Sequence, residues 1–179
     1  MVSILFIEPL ATGLPCRSPF TKNRVKRRES LVRFPRGGKT AFYYAVIAGL
    51  DGLEKGAYQK RVLVVMSDGG DNASRHSEQE MLDRVSSSSA LVYTVLDPNV
   101  AAQGESKPQL LRRLAKMSGG VAYFPKTPRD VVADFQEIAG NIRRGYSIGY
   151  LPPSAQAHRD PRHRVKVTVH MPGRTDLSV

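Results

Sequence analysis

Tryptophan is absent from this 179-residue chain, and cysteine occurs once, at Cys16. A single cysteine excludes an intramolecular disulfide and any Cys-rich zinc or iron–sulfur site, so the fold has to be held by packing. Long apolar runs are missing as well: nothing approaches the roughly 20 residues a membrane span needs. Val2–Ile7 is too short and too uncharged at its start to be a signal peptide, and Glu8 follows it. Internal repeats and long low-complexity segments are also lacking. Acids are scarce, with 16 Asp+Glu against 27 Lys+Arg, a net charge of +11 and a sequence pI near 10.1. That imbalance predicts attraction to polyanions. What is present is a 41% hydrophobic fraction, enough for one core in one domain and too little chain for two full ones.

The basic excess is uneven. Nine basic residues lie between Arg17 and Lys39 against one acid, Glu29. Lys22, Arg24, Lys26, Arg27 and Arg28 form its centre and are the candidate anion-binding patch. A second cluster, Arg159, Arg162, Arg164 and Lys166 with His158 and His163, lies near the C-terminus. Such runs are usually solvated faces, and the first has only Phe20 and Phe34 as rings for stacking on bases. Weak, salt-sensitive polyanion binding is the expectation.

Periodicity supplies the elements. Val2–Ile7 reads as a short strand ended by Glu8-Pro9. Thr21 to Arg33 is compatible with a surface helix. From Thr40 to about Glu54, Phe42, Val46, Leu50 and Leu53 recur at helical spacing. Arg61–Met66 is apolar after its first residue and β-branched, as a strand buried on both faces should be. Ser77 with Glu80 is a capping-box pattern for a helix to about Val85. Ala90–Leu96 is the next strand, Asp97–Lys107 a loop, and Pro108–Met117 a helix stopped by Ser118-Gly119-Gly120. Val121–Phe124 is a short strand. Thr127, Pro128 and Asp130 open a helix with the stripe Val131, Val132, Phe135, Ile138, Ala139 and Ile142. Tyr146–Leu151 and Arg164–Met171 alternate as half-buried strands.

Strands about 30 residues apart with helices between them imply crossovers and an α/β, doubly wound, mainly parallel sheet with helices on both faces. The expected division is an α/β domain over residues 1–145, a C-terminal pair of antiparallel strands over 146–171, and a tail over 172–179. In such sheets ligands bind beyond the carboxyl ends of the strands. Gly37-Gly38-Lys39-Thr40, Ser67-Asp68-Gly69, Asp71 and Asp97 would gather there. A hydroxyl with carboxylates suits a hard cation such as Mg²⁺, although Asp-Gly after a strand is often only a turn and Thr at a helix start only a cap.

Gly37-Gly38-Lys39-Thr40-Ala41, paired with Val64-Val65-Met66-Ser67-Asp68-Gly69-Gly70-Asp71-Asn72, resembles von Willebrand factor type A domains, especially the bacterial branch. Leu110 to Ala115 running into Ser118-Gly119-Gly120, the helix Val131–Ile142, and Tyr146 to Pro152 before a basic strand fit the same pattern. The resemblance implies a Rossmann-like fold, a non-catalytic protein-binding or adhesion role, and an adhesion-type site for Mg²⁺ or another divalent cation. Within it, Thr40 and Asp68 match two metal-binding positions, and Gly37, Gly38, Lys39, Ser67, Gly69, Asp71 and Asp97 the partner-facing loop edge.

The sequence departs from that pattern in two places. The family's first strand, ending Asp-x-Ser-x-Ser, has no counterpart before Thr40; Val2–Ile7 resembles the second strand, and Asp176-Leu177-Ser178 has no strand before it. Lys39 also stands between Gly38 and Thr40, where its charge would oppose a cation. At most half a metal site is therefore expected, with no cofactor held by this chain. The sheet is expected to close by pairing Val2–Ile7 with Arg61–Met66, to recruit a partner strand, or to aggregate. A truncated reading of a longer protein is the accompanying expectation, and export from a bacterium would follow if the true start lies upstream.

Two other functions compete. Gly38-Lys39-Thr40 resembles a phosphate-binding loop of a nucleotide triphosphatase, but that loop needs glycine where Arg33 stands and a strand where Phe34-Pro35 stands. A nucleic-acid or anionic-surface binder would use the basic run. No histidine is placed by sequence near Ser67 and Asp68, so an enzyme is not expected, and His76, His158, His163 and His170 read as solvated.

Overall fold

The computed structural model describes residues 2–7, 39–101, 106–146 and 168. Along these run β1 (Val2–Ile7), α1 (Phe42–Glu54), β2 (Lys60–Ser67), α2 (Glu78–Ser87), β3 (Leu91–Leu96), α3 (Pro98–Ala101), α4 (Pro108–Ser118), β4 (Ala122–Tyr123) and α5 (Pro128–Arg144). The chain divides into two compact units, Met1–Gly145 and Tyr146–Val179. The expected helix Thr21–Arg33 and the basic patch Lys22, Arg24, Lys26, Arg27 and Arg28 lie outside the described residues; of the expected strands Tyr146–Leu151 and Arg164–Met171 only Tyr146 and Thr168 are described, and neither is assigned to a strand.

The four strands form one parallel sheet in the order β1-β2-β3-β4. Val2–Ile7 lies directly beside β2, Val2 opposite Lys60 and Ile7 opposite Val65, the neighbour expected for it if the sheet closes without a further strand. Parallel pairing needs crossovers, and α1, α2, α4 and α5 cover the sheet on two faces. On one, Phe42, Val46, Leu50 and Leu53 of α1 pack with Met81, Leu82, Leu111 and Leu114 against Leu63, Val65 and Val92. On the other, Ile138 and Ile142 of α5 pack with Tyr123 against Val62, Val64, Tyr93 and Val95. The β2 side chains thus alternate between two cores, and Val62 to Val65 are fully buried. This is why the run is continuously apolar.

Local chemistry sets the element ends. Ser77 and Glu80 form the expected capping box on α2, and Thr127 and Asp130 a second on α5, with Pro128 in its first turn. α4 stops at Gly119, whose φ of 80° is left-handed. Gly120 is required for a different reason: a β-carbon there would sit 2.1 Å from the Val92 carbonyl oxygen. Two expectations are corrected. Asp97–Lys107 is not all loop, because α3 forms within it. Val132, placed in the α5 stripe, is 58% exposed; one step of about 100° from Val131 carries it past the face that meets the sheet.

Candidate functional site at the carboxyl ends of the strands

β2 ends at Ser67, and the chain turns sharply at Gly69, whose φ is 80°. A β-carbon on Gly69 would lie 3.0 Å from the Lys107 carbonyl oxygen, so both conformation and space call for glycine. The Gly69 N–H donates to Ser67 Oγ at 3.0 Å and the Gly70 N–H to Asp68 Oδ1 at 3.0 Å. Ser67 Oγ in turn donates to Asp68 Oδ1 at 3.4 Å. Backbone bonds from Lys107 N–H to the Asp68 carbonyl (2.7 Å) and from Asp97 N–H to the Ser67 carbonyl (3.3 Å) fasten this turn to the loops after β3.

The next stretch is sewn to the start of α1. Ala41, at the N-cap position, provides no side-chain cap. The caps come from the other loop: the Tyr43 N–H donates to Asp71 Oδ2 at 2.8 Å and the Tyr44 N–H to Ser74 Oγ at 3.0 Å. Asp71 Oδ1 also accepts from the N–H groups of Ser74 (3.0 Å) and Ala73 (3.3 Å), and Ser74 Oγ donates to Asp71 Oδ2. Thr40 N–H donates to Asn72 Oδ1 at 2.6 Å, while its carbonyl accepts from the N–H groups of Asn72 (2.9 Å) and Ala73 (3.1 Å). The backbone of Thr40 and the loop after Asp68 are therefore one hydrogen-bonded body.

Sequence reasoning placed Lys39, Thr40, Ser67, Asp68, Gly69, Asp71 and Asp97 on one edge, and bonds link Thr40, Ser67, Asp68, Asp71 and Asp97 into the loops there. Gly37 and Gly38 lie outside the described residues. The roles differ from one carboxylate to another. Asp71 caps α1. Asp97 accepts from the N–H (2.9 Å) and Nδ2 (3.1 Å) of Asn99 and so caps α3. Asp68 Oδ2 and Thr40 Oγ1 have no hydrogen-bond partner among the described residues. Lys39 is exposed and forms no ion pair with Asp68 among these residues. Among the described residues no three His, Cys, Asp or Glu side chains gather as a metal-binding group.

The cation that the sequence did not single out is Lys107. Its Nζ donates to Tyr43 Oη at 3.3 Å and lies 5.9 Å from that ring's centroid, and Tyr43 Oη donates to Glu78 Oε2 at 3.5 Å. The bond to Tyr43 raises the Lys107 pKa, with Glu78 and Asp71 adding to it. Asn72 and Ser74 were missed too; the only local signal was their position just past Asp-Gly-Gly-Asp. The amides a phosphate would use at the α1 N-terminus are already taken by Asp71 and Ser74, and an anion there would meet a carboxylate. The one histidine among the described residues, His76, is stacked on Tyr44 with ring centroids 6.0 Å apart and lies 3.7 Å from Glu80. It is not bonded to Ser67.

No protein-family model matches the sequence, and no curated protein matches it. Solved structures do. A von Willebrand factor type A protein from Catenulispora acidiphila superposes with a TM-score of 0.55 at 16% identity, over 66% of this chain and 27% of that one. This chain thus spans little more than a quarter of that protein. An aerotolerance-related membrane protein from Bacteroides fragilis, carrying multiple mutations to serine, superposes with a TM-score of 0.50 at 16% identity, over 69% of this chain and 73% of the other. At this identity the similarity is one of architecture, and the fold is von Willebrand factor type A-like.

Proposed function

We propose that the chain is a non-catalytic protein-binding module that meets its partner at the loop edge around Thr40 and Asp68. The observation that carries this reading is the way the edge is built. Asp71, Asn72 and Ser74 lock it to α1 through side-chain and backbone bonds, and the Thr40 hydroxyl and one oxygen of Asp68, both half-buried residues, have no hydrogen-bond partner among the described residues. Pre-organised loops on a rigid sheet serve recognition. The bonds of Ser67 Oγ agree with the same reading, because they go to the adjacent Asp68 carboxylate and the Gly69 N–H, with no histidine among its partners.

The adhesion-type cation site of the fold does not fit these residues as a full donor set. Mg²⁺ takes six oxygen ligands in near-octahedral geometry. Here Asp71 and Asp97 are occupied as caps, and Thr40 with Asp68 would have to hold the ion through waters. We therefore read the metal site as incomplete and its affinity as weak.

The test is photo-crosslinking in cells that express the protein, with a photoreactive residue at Lys39 or, as control, at Lys55 beyond the far end of α1. A discrete crosslinked protein from the Lys39 position and none from Lys55 supports the reading. Equal crosslinking from both positions, or none from Lys39, overturns it.

A further inference from the structure

From Ser106 to Arg129 the sequence has six basic residues and no Asp or Glu, and all six bases are exposed. Two are engaged with the neighbouring elements: Lys107 with Tyr43, and Arg113 with Glu78 at 3.9 Å. The other four, Arg112, Lys116, Lys126 and Arg129, form no ion pair among the described residues. One contact and the order of the chain relate them. The Arg112 guanidinium lies 4.3 Å from the Phe124 ring centroid, which holds the outer side of α4 against the segment leading from β4 into α5. Lys116 is one turn further along α4 on the same side as Arg112, and Lys126 and Arg129 follow Phe124 closely in the chain. Asp130, the first acid after this stretch, is bonded to the N–H groups of Lys126 (3.2 Å) and Thr127 (2.9 Å), so it serves the start of α5.

Met117 and Val121, which follow Lys116, are 39% and 44% exposed. Arginine and methionine beside exposed aliphatic area are enriched in protein interfaces. A nucleic-acid face would instead be expected to offer rings for base stacking, and here Arg112 covers one side of Phe124. Resting on the protein-binding reading above, we propose that the outer side of α4 and the β4–α5 connection form a docking face for an acidic segment of a partner protein, separate from the Thr40–Asp68 edge. Complementary charge would steer the encounter, and Met117 and Val121 would give it apolar contact.

The test is fluorescence anisotropy with a labelled short peptide of alternating Glu and Leu, at moderate salt. Three proteins are compared: wild type; Arg112→Glu/Lys116→Glu/Lys126→Glu; and Lys55→Glu/Arg143→Glu/Arg144→Glu, which changes net charge equally at exposed sites elsewhere. The patch variant is expected to lose about tenfold or more in affinity and the control about twofold or less. If the patch variant does not fold by circular dichroism, Lys116→Glu/Lys126→Glu, which leaves the Arg112–Phe124 contact in place, is expected to lose about fivefold. Equal losses in patch variant and control mean that net charge alone acts, and the proposal falls. It also falls if duplex DNA or phosphatidylglycerol vesicles bind this patch more tightly than the peptide. Because the probe is the peptide alone, a negative result here leaves the crosslinking outcome at Lys39 independent.

Discussion

The Asp71 carboxylate accepts the Tyr43 N–H at 2.8 Å, so the first turn of α1 is capped by a residue 28 positions later in the chain. This bond joins the loop after β2 to the helix that follows Thr40 and makes the site edge part of the folding unit. Asp71→Ala removes the cap and strands the Ala73 and Ser74 amides, and is expected to cost about 2 kcal/mol. For a chain this long that is a fall in Tm of roughly 4–8 °C. Asp71→Asn, which keeps an acceptor and loses the charge, should fall between. Thermal unfolding by circular dichroism reads both.

Gly120 and Gly119 should respond differently to the same substitution. Gly120→Ala puts a methyl group 2.1 Å from the Val92 carbonyl, a clash with backbone that side-chain adjustment cannot relieve, and is expected to cost on the order of 4 kcal/mol or prevent folding. At Gly119 the added carbon meets Leu91 Cδ2 at an ordinary 3.6 Å, and only the left-handed backbone is strained, about 1–2 kcal/mol. Urea unfolding of the two variants measures the difference.

These contrasts show what the sequence could reveal. Features whose partners lie within one turn were legible: the Ser77–Glu80 and Thr127–Asp130 boxes, the α1 stripe at Phe42, Val46, Leu50 and Leu53, and the Gly119 stop. The buried run of β2 was legible because strands covered on two faces must be apolar throughout. The loop edge was legible as a place, since strand ends converge in this architecture, but the bonding of its side chains was not. Asp71 and Asp97 looked like free carboxylates because a cap reaching across 28 residues, or one serving the four-residue helix α3, leaves no periodic trace. Lys107 was hidden because its partner, Tyr43, is 64 residues away.

Acid should weaken the start of α5. Hydrogen bonds from Thr127, side chain first and then backbone, hold the Asp130 pKa below its ordinary value. A carboxylate depressed by folding contributes stability above its unfolded pKa of about 3.9, and that contribution is lost as pH falls through the lower folded value. Asp130→Asn should be less stable than wild type at neutral pH, with the gap closing below about pH 3.9. Chemical denaturation across pH checks it, and a gap that persists at low pH would contradict it.

At the alkaline end Tyr123 is the sensitive group. Burial, and then the Glu137 carboxylate that accepts its hydroxyl at 2.9 Å, push its ionisation well above the ordinary tyrosine value. The neutral phenol is favoured in the folded state, so its stabilisation is complete below about pH 10 and is lost as pH rises beyond that. In an ultraviolet titration Tyr123→Phe should lose a late-ionising phenol and leave the early-ionising ones unchanged.

Thr40 and Asp68 present two open oxygens on an edge whose other carboxylates are caps. Isothermal titration calorimetry with Mg²⁺ tests that arrangement most directly. The expected result is weak or undetectable heat for wild type, no different for Asp68→Ala, with both proteins folded. Binding at about 10⁻⁶ M, a sensor-like affinity for a built oxygen site, that disappears in Asp68→Ala would contradict it and show a complete cation site.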